Sequence, residues 1–288
     1  MSSGIESRMS RDVDVLTSST LKHLRERWWN ADFREFLCET LQPRAGDRVL
    51  DVGCGVGTAD VSLGQLDISQ LRLFGVDRIL SRVSEAVGAT RAHNIRVGFA
   101  AADACRLPFK SNSFDSTFCV AMLQHVRELS TAVQELARVT KPGGRVLAVE
   151  PDNAARYWYS FSDTGTRAFE LATRFFRALE VRDDGTDLAL GPTISTIFAR
   201  HGIEPVTIRL FPVSLVRLGT PPPAVWNARR DIVRGAIDRV QSESIRQLGA
   251  DYLRALDEYA EEAVPAGRRF VEIQSTMLFA TVGQKPAG

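Results

Sequence analysis

The sequence lacks several features that would place it in particular classes of protein. No apolar run approaches the roughly 20 residues of a membrane-spanning helix, and residues 1–14 are polar, without the apolar centre of a secretory signal. The four cysteines include no Cys-x-x-Cys pair. We therefore expect a cytoplasmic protein that contacts no membrane and keeps its cysteines as buried free thiols.

An excess of charge of either sign is also missing. The chain has 36 Lys and Arg residues against 35 Asp and Glu residues, a net charge of +1, so bulk electrostatics favour neither a nucleic acid nor an anionic membrane as a partner. No cluster with metal-ligand spacing occurs, and we expect no metal site. The 288 residues, 44% of them hydrophobic, are enough for one large α/β domain with additions.

The most informative stretch is an apolar run that ends in three alternate glycines. The run at 49–52 predicts a strand, Gly53, Gly55 and Gly57 predict a tight turn, and the residues after them predict a helix. A side chain at Gly53 or Gly55 would occupy a ligand's space, so such a turn serves close approach of the backbone to a ligand. The spacing Gly-x-Gly-x-Gly differs from the Gly-x-Gly-x-x-Gly of dinucleotide-binding folds.

Five strand-like segments alternate with helical ones, which favours a parallel, doubly wound sheet. Thr131 and Gln134 have the spacing of a capping box for a helix that runs through Val139. Ligands of such sheets bind at the carboxyl ends of the strands. The residues predicted at those ends are Asp51, Gly53, Asp77, Asp103, Ala121 and Glu150.

Two of these acids have positions suited to a nucleoside. Asp77 lies roughly 20 residues past the glycines, the distance at which a carboxylate meets ribose hydroxyls. Asp77 is also placed to cap the helix predicted at 79–92, and the two roles are compatible. Asp103 follows the third strand, where a carboxylate can accept a hydrogen bond from an exocyclic amine.

Further motifs follow the glycine turn in a fixed order. They are Asp103 before Leu107-Pro108-Phe109, Ser113-Phe114-Asp115 opening the fourth strand, and Lys141-Pro142-Gly143-Gly144 before the fifth. Over about residues 45–150 this series resembles the class I S-adenosylmethionine (SAM)-dependent methyltransferases of the ubiquinone/menaquinone-biosynthesis type. An NAD-dependent dehydrogenase would share the acid after strand two but not the Pro-Gly-Gly before strand five.

The resemblance implies SAM as the cofactor and a role for each matched residue. Gly53, Gly55 and Gly57 would bring backbone to the methionine part, with Asp51 ordering the turn and orienting the ammonium. The remaining cofactor-binding residues would be Asp77 at the ribose hydroxyls, Arg78 beside the adenine, Asp103 and Ala104 at the adenine edge, and Ala121, whose carbonyl would meet the ammonium.

The resemblance also implies the wider architecture. We expect an α/β fold, a doubly wound, seven-stranded, Rossmann-like sheet with an N-terminal helical lid and a helical cap insertion. The predicted domains are the lid at 1–42, the SAM-binding core at 43–218, the cap at 219–266 and the final core strand at 267–288. The cap either builds the acceptor pocket or forms a homodimer interface, and both uses can coexist.

Candidate catalytic and acceptor-binding residues lie outside the shared core. Only four histidines occur, and His125, shortly after strand four, is our candidate general base; a surface histidine on a helix is the alternative. Tyr157 and Tyr159 are further catalytic candidates. The residues predicted to stack on an aromatic acceptor are Trp28, Trp29 and Trp158, although Trp28 and Trp29 fit a core anchor equally well.

The aromatic density near the predicted pocket favours a small, flat acceptor, methylated at oxygen, nitrogen or aromatic carbon, in specialised or quinone metabolism. No Pro-Pro motif follows strand four, where Cys119-Val120-Ala121-Met122 stands. That absence argues against enzymes that methylate the amino groups of DNA bases or glutamine side chains. The alternative function is a SAM-binding regulator or scaffold without transfer activity.

Overall fold

The computed structural model describes residues 29–180 and 189–287. Trp28, a predicted acceptor-binding residue, and most of the predicted lid lie outside the described residues. The described part contains eight α-helices and seven strands that form one sheet in the order β3-β2-β1-β4-β5-β7-β6. The predicted seven-stranded α/β fold is therefore confirmed.

The elements of the first half alternate between strand and helix, as predicted. They are α1 (Ala31–Leu41), β1 (Arg48–Val52), α2 (Thr58–Gly64), β2 (Arg72–Asp77), α3 (Leu80–Ala92), β3 (Val97–Ala101), β4 (Phe114–Val120), a 3₁₀ turn (Leu123–His125) and α4 (Leu129–Val139). The second half contains β5 (Thr140–Ser160), α5 (Asp163–Glu180), a 3₁₀ turn (Gly191–Thr193), α6 (Ile194–Arg200), β6 (Glu204–Leu218), α7 (Pro223–Arg239), α8 (Glu243–Ala266), a 3₁₀ turn (Gly267–Arg269) and β7 (Val271–Gln284).

The first five strands pair in parallel, and their carboxyl ends meet at one edge. Val52 of β1 pairs with Val76 of β2, and Asp77 pairs with Ala101 of β3. On the other side, Val120 of β4 pairs with Val149 of β5. We call this line of strand ends the carboxyl edge. It brings together the segments that the sequence predicts to bind a ligand.

The sheet is held by a core that covers both of its faces. Leu50 and Val146 are buried on one face of the sheet, and Phe118 and Leu147 are buried on the other. Strands that are covered on both faces have near-continuous apolar sequences, because helices pack above and below a parallel sheet. This is why the apolar run at 49–52 was readable as a strand.

Helix α4 corrects one local prediction. It begins at Leu129 with Glu128 as the N-cap residue, and no side chain caps it. Thr131 and Gln134 therefore lie inside the helix, and the predicted capping box is wrong. Leu129 packs against the core, so burial of the apolar face extends the helix beyond the point that local capping chemistry would choose.

Strands β5 and β6 are longer than predicted. Strand β5 runs through Tyr157 to Ser160 instead of ending at Glu150, and β6 continues past Phe211 to Leu218. Exposed and less exposed side chains alternate along residues 156–159 and 208–218. This alternation of period two is typical of a strand with one open face, but the sequence does not alternate in the same way, because Leu210, Val216 and Leu218 are apolar and exposed.

The chain divides into two compact units. Among the described residues, the sheet unit comprises 31–158, 179–180, 189–216 and 273–287, and the helical unit comprises 29–30, 159–178 and 217–272. Tyr259 is fully buried at the centre of the helical unit. The rings around it are those of Phe161, Phe169, Trp226 and Phe270. No helix in residues 29–180 or 189–287 is long and apolar enough to cross a membrane.

Candidate functional site

The glycine turn has a backbone that requires glycine. Gly53, Gly55 and Gly57 have φ angles of +81°, +54° and +78°, in the left-handed region that side chains disfavour. The amide groups of Gly53 and Cys54 both donate to the Val76 carbonyl, at 2.7 and 2.9 Å. The turn is thereby fastened to the end of β2.

The glycines of this turn differ in what surrounds them. A Cβ at Gly57 would lie 3.0 Å from the Cβ of Ala86, so this glycine lets α2 pack closely against α3. A Cβ at Gly53 would lie 2.8 Å from the Cβ of Met122, in the loop after β4. Gly53 therefore allows two loops of the carboxyl edge to approach each other.

Asp77 links the turn to the next helix. It is 7% exposed; its Oδ2 accepts the amide of Gly55 and its Oδ1 accepts the amide of Ile79, both at 2.9 Å. The bond to Ile79 orders the chain just before α3, but Ile79 is the N-cap residue and no side chain caps the helix, so the N-cap role predicted for Asp77 is wrong. A carboxylate has about four acceptor positions, so two such bonds leave it capacity for hydroxyl groups of a ligand.

The loop after β4 is held by a carboxylate to which the sequence analysis assigned no role. Glu150 is fully buried, and its Oε1 accepts the amides of Met122 and Leu123 at 2.9 and 2.8 Å. Ala121, directly before them, has a φ of +50° and donates its amide to Val149 at 2.8 Å. A positive φ on a non-glycine residue is strained, and such strain is concentrated at functional sites.

The predicted adenine-binding residues lie at the end of β3. Asp103 is exposed, and its Oδ1 accepts the amide of Cys105 at 2.8 Å. Ala104 is half-buried beside it, and Arg78 is exposed after β2. The structure thus leaves the Asp103 carboxylate accessible at the carboxyl edge.

The Leu107-Pro108-Phe109 motif is held by an ion pair on α4. Arg138 donates to the carbonyls of Phe109 and Leu107, at 2.7 and 3.1 Å. Glu135 accepts the amide of Leu107 at 2.7 Å and the Arg138 guanidinium at 2.6 Å. The hydrogen bond from Arg138 lowers the pKa of Glu135. In this structure the motif therefore anchors the segment between β3 and β4 to α4.

Comparison with known proteins places this geometry in a family. Residues 50–148 match the family described as "Methyltransferase domain". The chain is 35% identical to methyltransferase GfsG of Streptomyces halstedii over 116 residues, 40% of this chain and 42% of the relative. It is 34% identical to demethylmenaquinone methyltransferase of Mycolicibacterium gilvum over 135 residues, 47% of this chain and 54% of the relative.

Residues 50–148 therefore match a methyltransferase domain, in agreement with the class I SAM-dependent type. The recognition made from the sequence motifs is thereby confirmed. The chain spans about half the length of the curated relatives it matches. Protein BH2331 of Bacillus halodurans has the same fold at a TM-score of 0.57 and 15% identity, over 89% of this chain and 100% of that one.

The methyltransferase domain has buried carboxyl groups that fit the positively charged cofactor of its family. Four carboxyl groups at or beside the carboxyl edge are nearly or fully buried: Asp51 at 3%, Asp60 at 1%, Asp77 at 7% and Glu150 at 0% exposure. SAM carries a positive sulfonium and a positive ammonium group. Buried carboxylates attract such cations strongly, since the low local dielectric screens them little. The residues present therefore fit SAM.

The cysteines of the methyltransferase domain are protonated thiols. Burial raises the pKa of Cys54, and the nearby carboxyl groups of Asp51, Asp60 and Asp77 raise it further. Burial and Asp103 raise the pKa of Cys105 to about 11. The thiolate is the nucleophilic form, so neither Cys54 nor Cys105 is suited to covalent catalysis at neutral pH. All four cysteines are free thiols, as expected, but only Cys54 and Cys119 are buried.

The predicted catalytic and acceptor-binding residues are distributed over both units. His125 is exposed at the end of the 3₁₀ turn that follows β4, and its amide donates to the Met122 carbonyl at 2.9 Å. Tyr157 is 59% exposed in the sheet unit, and Tyr159 is 46% exposed in the helical unit. Trp29 and Trp158 are half-buried.

Proposed function

We propose that the protein transfers the methyl group of SAM to a small-molecule acceptor. The observation that supports this most strongly is the carboxyl edge of a matched methyltransferase domain. There, left-handed glycines and buried carboxylates lie at adjacent strand ends. SAM supplies an electrophilic methyl group on an excellent leaving group. The task of the protein is to hold the acceptor in line, exclude water and accept a proton where the acceptor must lose one.

We propose the following division of roles at the cofactor. Gly53, Gly55 and Gly57 bring backbone near the methionine part, with Asp51 orienting the ammonium. Asp77 accepts the ribose hydroxyls while it holds the turn through Gly55. The remaining proposed contacts are Arg78 beside the adenine, Asp103 and Ala104 at the adenine edge, and the Ala121 carbonyl at the ammonium.

We propose His125 as the general base, supported by its exposed position on the turn that Glu150 anchors to the carboxyl edge. Tyr157 and Tyr159 are the further candidates for hydrogen bonding or proton transfer. Trp28, Trp29 and Trp158 are the candidates for stacking on a flat acceptor. The acceptor class remains a small, aromatic metabolite with an oxygen, nitrogen or carbon nucleophile. The names of the relatives, which include a demethylmenaquinone methyltransferase, are consistent with this class.

The cap assignment is likewise a proposal. Residues 219–266 are helical, and we propose that they contribute to the acceptor pocket, with a homodimer interface as their second use. Hydrogen exchange with and without S-adenosylhomocysteine and acceptor should show acceptor-dependent protection in α7 and α8. Light scattering measures the dimer directly. A monomer whose α7 and α8 exchange identically in every state would contradict both uses.

The function is tested in two steps. Calorimetry should show that the purified chain binds SAM, and a labelled-methyl screen against metabolite extracts should yield a labelled small product. SAM binding without product from any extract would favour the alternative, a catalytically silent SAM-binding protein. Absence of SAM binding would contradict both proposals.

The general base is tested by His125→Ala. This variant should lower kcat about 10²-fold or more and leave SAM affinity within twofold, because His125 is assigned to the acceptor. His201→Ala is the matched control, since His201 lies after α6, away from the strand ends of the carboxyl edge. Loss of SAM binding in His125→Ala would reassign His125 to the cofactor.

A further inference from the structure

Asp60 is a buried carboxyl group for which the fold provides no complete set of partners. It lies in the first turn of α2 and is 1% exposed. Within the described part of the chain, its Oδ2 has no hydrogen-bond partner. Leaving such an acceptor unsatisfied costs about 1–3 kcal/mol. A buried acceptor without a partner requires an explanation in a native protein, and one such explanation is that it binds a ligand.

The immediate surroundings of Asp60 belong to the cofactor site. The carboxyl groups of Asp51, Asp60 and Asp77 all act electrostatically on the Cys54 thiol, which lies inside the glycine turn. Each carboxyl oxygen of Asp77 accepts a hydrogen bond from a backbone amide. Asp60 therefore adds a third buried acid to this group and is the one with an unpaired oxygen.

The elements packed against α2 supply no counter-charge to this oxygen. The buried residues of α1 are Phe33, Phe36, Leu37, Thr40 and Leu41, and those of α3 are Val83, Ala86 and Thr90. The titratable residues on α1, α3 and β2 are Asp32, Arg34, Glu35, Cys38, Glu39, Arg82, Glu85, Arg91, Arg72 and Asp77. None of their basic groups bonds Asp60 Oδ2.

A purely structural role explains the position poorly. Acids in the first turn of a helix stabilise it when they are ionised, through the helix dipole. Here burial raises the pKa of Asp60 to about 8, so the carboxyl group is largely neutral at pH 7 and gives up that stabilisation. A small apolar residue would fill a buried helix position at lower cost.

We propose that Asp60 is an additional cation-binding residue of the cofactor site and takes up positive charge at the methionine end of SAM. This inference rests on the proposed function. The charge that it meets is either the ammonium, which S-adenosylhomocysteine also carries, or the sulfonium, which only SAM carries. Binding a cation beside Asp60 favours its ionised form, so cofactor binding should release a proton.

The experiment compares Asp60→Asn with the wild-type chain. Asn keeps the shape and removes the ionisable group. Titration calorimetry at pH 7 with SAM and with S-adenosylhomocysteine, each in two buffers of different ionisation enthalpy, yields both affinity and the number of protons released. Asp67→Asn is the matched control, because Asp67 is an exposed aspartate just after α2. Thermal unfolding of each variant confirms that it is folded.

The wild-type chain should release a proton on binding SAM, and Asp60→Asn should abolish that release and weaken SAM about tenfold or more, as expected for a charge-assisted hydrogen bond. If the affinity for S-adenosylhomocysteine falls by the same factor, Asp60 binds the ammonium. If that affinity changes less than about twofold, Asp60 binds the sulfonium. Asp67→Asn should match the wild type throughout.

The proposal is overturned if Asp60→Asn binds both ligands within twofold of the wild type with the same proton release. In that case the carboxyl group has a structural role alone. This result is distinguishable from failure of the proposed function, because wild-type SAM binding and methyl transfer are measured independently of the variant. A wild-type chain that binds no SAM fails the proposed function first.

Discussion

Each unit of the protein buries carboxylates, but the two units satisfy them in different ways. In the helical unit, Glu272 is fully buried and bonds two guanidinium groups, Arg217 at 2.7 Å and Arg229 through both of its oxygens. In the sheet unit, Asp77 and Glu150 accept backbone amides.

The difference shows what each arrangement can do. A carboxylate paired with two arginines has its charge compensated within the protein, so Glu272 serves the packing of its own unit. A carboxylate that accepts neutral amides, as Asp77 does, receives no opposite charge from them and can attract a cation from outside. The carboxyl edge is therefore the region suited to a positively charged ligand, and the ion cluster of the helical unit is not.

The largest expected effect comes from breaking the compensated cluster. Glu272→Ala leaves Arg217 and Arg229 buried without their carboxylate, and should lower the free energy of unfolding by about 3–5 kcal/mol. Chemical denaturation monitored by fluorescence measures it. Glu258→Ala is the control, because its contact with Arg167 is exposed and 3.4 Å long, and such pairs contribute at most about 1 kcal/mol. If both substitutions lowered the free energy of unfolding equally, the buried cluster around Glu272 would contribute no more than an exposed ion pair.

The next effect concerns the uncompensated carboxylate at β2. Asp77→Ala removes the acceptor of the Gly55 and Ile79 amides and the proposed ribose ligand, so SAM affinity should fall about ten- to hundredfold. Calorimetry measures this, with Asp67→Ala as the exposed control. Unchanged affinity for SAM in Asp77→Ala would show that the ribose assignment is wrong.

The third effect is a pH dependence of stability that distinguishes Asp60, which has an unpaired oxygen, from the carboxylates that accept amides. The pKa of Asp60 is raised in the folded chain to about 8, above the unfolded value of about 3.9. The unfolded state therefore binds fewer protons between pH 4 and 8, and ionisation destabilises the fold as the pH rises.

Asp60→Asn should abolish this loss. Without SAM, the variant and the wild type should unfold at similar temperatures near pH 4. Between pH 4 and 8 the variant should become progressively the more stable protein, by at most about 1.4 kcal/mol per pH unit. Thermal scans at several pH values test this, and a constant difference between the two proteins from pH 4 to 8 would contradict the assigned ionisation.

The smallest effect is expected at the ion pair that anchors the Leu107-Pro108-Phe109 segment. The pKa of Glu135 is lowered, so its contribution to stability is present above the unfolded value of about 4.3 and is lost as the pH falls below it. Glu135→Gln should cost about 1 kcal/mol at pH 7 and progressively less below pH 4. The measurement is urea denaturation at pH 7 and pH 3.5. A cost that does not decrease at low pH would assign the effect to packing.

Much of the sheet unit was predictable because its signals are local. Three neighbouring features carried the prediction. The apolar run at 49–52 indicates a buried strand, the three glycines indicate a turn with positive φ angles, and Asp77 stands where the second strand ends. Local chemistry failed at Thr131, since packing of Leu129 on the core set the start of α4. The role of Glu150 could not be predicted from neighbouring residues, because the amides that donate to Glu150 lie more than 25 residues away in the chain.

The sequence by itself determined the order of strands and helices, the glycine turn and the methyltransferase motifs, because these depend on neighbouring residues. Only the tertiary structure decided which groups surround each carboxyl. The close approach of Gly57 to Ala86 and the pairing of Glu272 with two arginines join distant segments. The charge state of a buried acid depends on exactly such neighbours and on the water they exclude, so it is a property of the folded chain.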